Sequence, residues 1–246
     1  MPLLILAFFV TAVLYASVGF GGGSTYTALL ALSGLDYRVL PLLSLSCNIV
    51  VVAGSTIRFA RAGIMPWRRA GLLTALSAPA ALVGGLTPIS ETHFLTILGL
   101  SLLFAGGALL FKAKETSLAP AKAASIMQLL AIPLGYLAGL VGIGGGIFLA
   151  PLLHLSRWGP ARSIAATASL FILVNSISGF LGQIVKNDME HFGYAAEIAL
   201  PLLVGVLIGG QIGSMLAVRY LPMNWIRGGT GVLTLYVGAR ILTSSV

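Results

Sequence analysis

Eight long apolar stretches fill most of this chain, at residues 3–34, 40–58, 67–87, 92–111, 124–156, 163–185, 192–218 and 224–243. A helix needs about 20 apolar residues to cross about 30 Å of hydrocarbon, so each stretch is long enough to span a bilayer. A soluble alternative fails on charge. Only 8% of the 246 residues are Asp, Glu, Lys or Arg, where a soluble domain has about 25%. So few charges cannot cover the surface of a fold this size. The expectation is an all-α membrane protein, multi-pass in the cytoplasmic (inner) membrane, with the lipid bilayer as its solvent.

The polar residues say how the segments are arranged. A net charge of +8 in a soluble chain would suggest nucleic acid. Here the basic residues sit in short loops and act as topology signals, and no nucleic-acid partner is expected. Arg58, Arg61, Arg68 and Arg69 put the loop after the second stretch in the cytoplasm, and Lys112, Lys114 and Lys122 do the same for the polar stretch near the middle. Glu91 and His93 mark the loop between these as external, and so do Lys186, Asp188 and Glu190 further on. Arg157 with Arg162, and Arg219 with Arg227, mark two more cytoplasmic loops, while Arg38, offset by Asp36, is a mild exception on the outside. Cys47 is the only cysteine, which excludes an internal disulfide and a cysteine-based metal site. No basic residue precedes the first apolar run, so residues 1–18 read as mature protein and not as a signal peptide.

The two halves of the chain match each other. Val18-Gly19-Phe20-Gly21-Gly22-Gly23 corresponds to Val141-Gly142-Ile143-Gly144-Gly145-Gly146 at an offset of 123. Ser44-Leu45 corresponds to Ser169-Leu170 and Gly84-Gly85 to Gly209-Gly210, both at 125, and Gly99 through Gly106 to Gly231 through Gly238 at 132. The order is kept while the offset drifts, as a duplicated unit requires. The division is a first repeat at 1–111, a cytoplasmic linker at 112–123 and a second repeat at 124–246.

One loop assignment fixes the relation between the repeats. Basic residues flank the fifth stretch on both sides, which a single crossing forbids. A hairpin bending back at Gly142–Gly146 resolves this. Its limbs of about 18 and 10 residues would rise about 27 and 15 Å, and the second is too short to span. The first stretch then becomes a hairpin entering from the opposite side. Each repeat holds one glycine-broken, re-entrant segment plus three transmembrane helices. An odd number of crossings inverts the second repeat relative to the first, an internal symmetry common among secondary transporters.

Gly19, Gly21, Gly22, Gly23 and Gly142, Gly144, Gly145, Gly146 therefore become the leading candidates for a substrate site. A bend deep in a membrane leaves amides and carbonyls unpaired, which is tolerated only inside protein or beside a wet cavity. The free amides at the start of the second limb favour an anion. Ser24 and Thr25 follow the first cluster and add hydroxyl donors, whereas apolar Ile147 and Phe148 follow the second. The competing reading is that these glycines only let helices approach closely. Two clusters at matching positions favour the transport reading.

Segment two also carries Ser44, Ser46, Asn48 and Ser55, and segment six carries Thr167, Ser169, Asn175, Ser176 and Gln183. Neutral donors of this kind suit an oxyanion that accepts several hydrogen bonds. Asn48, Ser169 and Asn175 are the candidates taken from this set, with interhelical bonding as the alternative role. Glu197 is the one acid inside a hydrophobic segment and is a candidate for a coupling proton, with an interfacial place as the other reading. Arg240 either attracts an anion or snorkels near the chain end. His154 reads as a loop residue, and Trp67, Trp158 and Trp225 fall at segment ends as interfacial belts would.

The two Gly-x-Gly-Gly-Gly turns, Pro151-Leu152, the stretch Ala165–Leu170 and the closing Gly238-Ala239-Arg240-Ile241-Leu242 resemble the TauE/SafE sulfite-exporter family over essentially the whole chain. Two departures stand in the first half: Leu29 or Leu30 occupies the place of Pro151, and Leu42-Leu43-Ser44-Leu45 lacks the residue types that precede Ser169. The resemblance implies a transporter of small sulfur-containing anions such as sulfite or organosulfonates. A homodimer is a further family-level expectation. No cofactor, metal site or catalytic constellation is expected, and the glycine clusters lack the Lys-Ser/Thr and strand context of a phosphate loop. The function read from the sequence is a secondary transporter working by alternating access, with proton coupling as an option. An anion channel for small oxyanions is the alternative, and an intramembrane enzyme ranks last.

Overall fold

A computed structural model of the chain describes residues 1–17, 19–110, 121–156, 158–187, 189–216 and 223–244. The described elements are ten helices: α1 (Pro2–Ser17), α2 (Gly23–Leu32), α3 (Leu40–Arg61), α4 (Trp67–Leu86), α5 (Glu91–Leu110), α6 (Ala121–Val141), α7 (Gly146–Leu155), α8 (Ala161–Lys186), α9 (Met189–Leu216) and α10 (Met223–Ser244). No strand occurs among the described residues. The first and fifth apolar stretches each divide at their glycine cluster, into α1 and α2 and into α6 and α7. The linker expected at 112–123 lies outside the described residues up to 120, and α6 begins at Ala121. Trp225 and Arg227 lie on α10, and their side chains, like Arg157, Asp188 and Arg219, fall outside what is described.

Among the described residues, five helices are long and apolar enough to cross a membrane: α3, α4, α5, α8 and α9. Their outer faces carry large apolar side chains such as Leu100, Leu181, Leu200 and Met215, all exposed. Apolar exposure on that scale fits a lipid-facing surface and not a monomeric soluble one. Prolines sit inside α4, α6, α7 and α9 (Pro79, Pro133, Pro151, Pro201) without ending them. In a bundle, neighbouring helices re-satisfy the carbonyls that proline frees.

The central pair is α3 and α8, the most buried of the spans. They run antiparallel: Leu45 lies near Gly179, while Phe59 and Ala165 meet across Gly19. Small residues set the remaining approaches. Along α4 and α6, Ser77 meets Gly135 and Ala81 meets Gly139, so these helices run parallel. Along α1 and α9, Ile5 meets Gly205, Phe9 meets Gly209 and Val13 meets Gly213, again in parallel. Helices α5 and α10 cross antiparallel with Gly99 on Gly238 and Gly106 on Gly231. Gln183 on α8 donates to the Gly139 carbonyl at 2.9 Å, which ties α8 to the end of α6. Any side chain at Gly139 would collide with the Ala81 backbone. Gly139→Leu is therefore expected to cost about 2–3 kcal/mol of stability through forced separation of α4 and α6. A lowered melting temperature of the detergent-solubilised protein is the readout.

The chain direction reverses at each glycine cluster. The Gly23 carbonyl accepts from Ser44, and α2 then runs back toward the start of α3. Gly146 packs on Ile172, and α7 runs back toward the start of α8. Charges separate by end. Arg58, Arg61, Arg68, Arg69 and Arg162 gather at the end where Arg69 lies over the Trp158 ring, 5.6 Å from its centroid. Asp36, Glu91, His93, Lys186 and His191 lie at the other, where Tyr37 donates to the Ile89 carbonyl at 3.2 Å. Trp67 is exposed as an interfacial tryptophan should be, but Trp158 is buried. The cause is local: its backbone carbonyl accepts from Arg69 and its ring fills the core between α7 and α8.

Candidate functional site

The two glycine breaks come together against one residue of α3. Asn48 lies at the ninth position of that helix, about 12 Å along it. Its amide nitrogen donates to the Ile143 carbonyl of the second break at 3.1 Å. Gly21, Gly23 and Gly144 all press on the same amide, so that a side chain at any of them would collide with it. Because a carbonyl can only accept, the Ile143 contact fixes which amide atom is nitrogen and leaves Oδ1 as the free acceptor. That oxygen is buried and has no partner.

Gly22 and Gly145 make the turns possible. Each caps the helix that follows, α2 or α7, in the left-handed conformation, at φ +86° and +77°. A residue with a side chain pays about 1–2 kcal/mol to stand there. Gly19 and Gly142 sit at the entrances to the breaks and close them against neighbouring helices. Gly19 packs under Phe59 and beside Ala165, and Gly142 packs on the backbone of Pro41.

Hydroxyl groups distinguish the first break. Ser24 Oγ is buried without a partner at the start of α2. Thr25 shares a hydrogen bond of 2.8 Å with the Tyr15 hydroxyl, joining α1 to α2. Ser44 donates to the Gly23 carbonyl at 3.0 Å. Thr27 donates to the same carbonyl at 2.9 Å and approaches the Gly142 carbonyl at 3.4 Å, so one side chain reaches both breaks. Thr27 was not among the sequence candidates. It lies one helical turn after Gly23, and that spacing is the signal that could have found it.

The second half presents different groups at matching places. An offset of 124 relates Asn48 to Ile172 and Val52 to Ser176. Gly21 faces Asn48 and Val52, and Gly144 faces Ile172, Ser176 and Asn48. Ser176 Oγ is also buried without a partner. Ser176 thus takes the place at the breaks that the sequence offered to Ser169 and Asn175. Ser169 donates to the Ala166 carbonyl of its own helix at 2.9 Å. Asn175 turns toward α4 and accepts from Ser77 at 2.9 Å. Glu197 and Arg240 are exposed on α9 and α10. Arg240 donates to the Tyr236 hydroxyl at 3.4 Å on its own helix. His154 is half-buried at the end of α7.

Between the breaks lies a cavity of about 30 Å³, walled by Gly21–Ser24, Tyr15, Phe20 and Asn48 on one side and by Ile143, Ile147, Ala150, Pro151 and Ile172 on the other. That is about the share of one water molecule in the liquid. Helices α2 and α7 both begin at it, and the first amides of each have no acceptor within their helix. Phe59 packs on Gly19 and Pro41 packs on Gly142, at the entrances to the two breaks. The chemistry on offer is neutral hydrogen bonding and two helix N-termini, which suits an anion. No group of His, Cys, Asp or Glu among the described residues could hold a metal ion.

Comparison with known proteins agrees with this architecture. The family model for the sulfite exporter TauE/SafE matches residues 4–241. The chain is 32% identical to the probable membrane transporter protein y4hK of Sinorhizobium fredii, over 97% of each chain. It is 30% identical to the sulfite exporter TauE/SafE family protein 1 of Arabidopsis thaliana over 54% of this chain and 28% of that protein. To the probable membrane transporter protein YunE of Bacillus subtilis it is also 30% identical, over 37% and 32% of the respective chains. No solved structure matches. With both glycine breaks and every wall of the cavity inside the matched range, the chain belongs to the TauE/SafE sulfite exporter family and is a multi-pass membrane transporter, not an enzyme.

Proposed function

We propose that this protein is a secondary transporter that moves a small sulfur-containing anion, sulfite or an organosulfonate, by alternating access between two inverted repeats. The observation that carries the reading is the meeting of both glycine breaks at Asn48, beside buried Ser24 and Ser176 hydroxyls without partners. Buried polar atoms are normally satisfied, and those that are not ask for a ligand or an ion. An oxyanion with several acceptor oxygens suits the hydroxyls and the two sets of free amides. Asn48 Nδ2 becomes a further donor if its bond to Ile143 opens.

Inversion is supported by the way the packing interchanges. Repeat-matched Gly99 and Gly231 pack crosswise on Gly106 and Gly238, and α3 lies antiparallel to its counterpart α8. Gly19 on Ala165 of α8 answers Gly142 on Pro41 of α3. The segregation of arginines supports a cytoplasmic location for the Arg58–Arg69 end. Each break is then a re-entrant hairpin that enters from the side opposite to the other.

A cavity of only about 30 Å³ between the breaks supports alternating access over a continuously open pore. Admitting an ion of four or more heavy atoms requires the hairpins to part. Motion of one repeat against the other would open the Pro41 and Phe59 sides in turn. The exposed positions of Glu197 and Arg240 give a coupling ion no place beside the cavity, so any proton coupling would run through other groups. The test is flux of sulfite and of an organosulfonate into proteoliposomes. Saturable flux that is abolished by neither chloride nor sodium replacement is the expected result. No saturable flux of any sulfur oxyanion or sulfonate would end the substrate assignment, and conductance without saturation would replace the transporter with a channel.

A further inference from the structure

The amide of Asn48 has one end satisfied and one end open. Its nitrogen is committed to the Ile143 carbonyl at 3.1 Å. Its oxygen is left as an acceptor, fully buried and without a donor. That oxygen is the atom that meets Gly21, and Asn48 and Gly21 both line the cavity between the breaks. A buried amide oxygen without a donor is costly. The hydroxyls around it are spent elsewhere. Ser44 and Thr27 both donate to the Gly23 carbonyl, and Tyr15 and Thr25 share a bond with each other. Ser24 also lines the cavity, and its hydroxyl makes no bond to Asn48.

The missing donor has to come from the occupant. The amides that begin α2 and α7 and the Ser24 hydroxyl call for acceptor oxygens, whereas Asn48 Oδ1 calls for a proton. A fully deprotonated oxyanion serves the first set and sets an oxygen against Oδ1. A singly protonated oxyanion serves both, with its bare oxygens on the helix starts and its O–H on Oδ1.

Charge gives a second, independent argument. No Lys, Arg, Asp, Glu or His lines this cavity among the described residues. The cost of taking an ion out of water rises with the square of its charge, and here only the partial charges of two helix starts offset it. Such a site suits a monoanion far better than a dianion.

We propose that the occupant of the central cavity is a singly protonated oxyanion, hydrogensulfite in the sulfur series, recognised through its own O–H by Asn48 Oδ1. This deepens the transporter reading above and rests on it for the crossing itself, but not for the binding. The proton then crosses on the anion, and no acid of the protein has to carry it. Glu197, the acid that the sequence offered for that task, is exposed on α9. The titratable side chains on the helices that build the cavity are Tyr15 of α1, Tyr26 of α2, Cys47 of α3, Tyr136 of α6 and His154 of α7. Arg58, Arg61, Arg162 and Lys186 lie toward the ends of α3 and α8. Of all these only Tyr15 lines the cavity, so the pH dependence of binding belongs to the ligand.

The test is equilibrium binding of radiolabelled sulfite and of radiolabelled selenite to the purified, detergent-solubilised protein across the neutral pH range. Selenite has the same pyramidal shape and keeps its proton to higher pH. Sulfite affinity should fall about tenfold per pH unit once hydrogensulfite gives way to the dianion, because apparent affinity scales with the competent fraction. The fall for selenite should begin at higher pH. Sulfate, a dianion, and methanesulfonate, a monoanion without an O–H, should compete at least about tenfold more weakly than hydrogensulfite. In Asn48→Ala the preference for hydrogensulfite over methanesulfonate should shrink to within about threefold, since the acceptor that reads the O–H is gone. No sulfite binding at any pH, an affinity that does not fall with pH, sulfite and selenite curves that fall at the same pH, methanesulfonate competing within about threefold of hydrogensulfite, or an unchanged preference in Asn48→Ala would each overturn the proposal. If hydrogensulfite binds as described and no sulfur anion enters proteoliposomes, the transporter reading fails while the proposal stands. Saturable sulfite flux that is indifferent to pH would keep the transporter and remove the proposal.

Discussion

Gly22→Leu and Gly145→Leu should each remove saturable anion flux while leaving the protein in the membrane. Both positions sit in the left-handed region, at φ +86° and +77°, where leucine costs about 1–2 kcal/mol. Space is also lacking. A side chain at Gly22 meets Thr11 at 3.1 Å and Tyr26 at 3.1 Å, and one at Gly145 meets Phe171 at 2.9 Å and Ala138 at 3.0 Å. The turn must therefore open or shift, and the amides that begin α2 or α7 leave the cavity. Insertion is set by the hydropathy of the long segments, which an added leucine raises. Immunoblotting of the membrane fraction checks the amount of protein, and proteoliposome uptake checks the function. Normal flux in both variants would reduce the glycines to packing residues.

Asn48→Ala should lower kcat/KM for the transported anion by about 100-fold, which corresponds to about 2.7 kcal/mol. Both breaks are fitted to Asn48: it donates to Ile143 while Gly21, Gly23 and Gly144 close around its amide. Truncation leaves the Ile143 carbonyl buried without its donor and removes the Nδ2 donor that an anion would use, and each such loss is costly in a dry interior. Asn48→Ile, which copies the matching Ile172 of the second half, removes the hydrogen bonds while keeping a bulky side chain at the breaks. It should be as inactive as Asn48→Ala. Flux within about threefold of the wild type for Asn48→Ile would mean that shape, and not hydrogen bonding, is what Asn48 supplies.

Several parts of this fold were legible in the sequence for physical reasons. Apolar stretches of about 20 residues have few alternatives to membrane-spanning helices, and the helix boundaries follow them within a few residues. The reversals at Gly19–Gly23 and Gly142–Gly146 followed from loop charges together with the length of the second limb, because ten residues cannot span the bilayer. The positions of Asn48 and Ser24 were legible for the same reason, since a broken helix needs polar company.

Side-chain direction on α8 was not legible. Asn175 and Ser176 are neighbours in sequence, yet they point about 100° apart on a helix of 3.6 residues per turn. Composition alone could not say which of them meets the glycines. The structure turns Ser176 to Gly144 and Asn175 to Ser77 of α4. Alignment of the halves by contact, at an offset of 124, would have chosen Ser176 as the counterpart of Val52. Trp158 misled for a related reason. Its place at a segment end suggested an interface, but the short α7 returns it to the interior under Arg69.

Saturation curves for sulfite flux in proteoliposomes of Ser24→Ala and Ser176→Ala test most directly whether the two breaks form one site. Ser24 belongs to the first half and Ser176 to the second, and both hydroxyls are buried without partners beside the breaks. If the breaks share one anion, each substitution should raise KM by about three- to tenfold, the loss of one hydrogen bond to a charged ligand in a partly satisfied site. Curves unchanged in both variants, or a shift confined to one half, would contradict a site shared between the two glycine breaks.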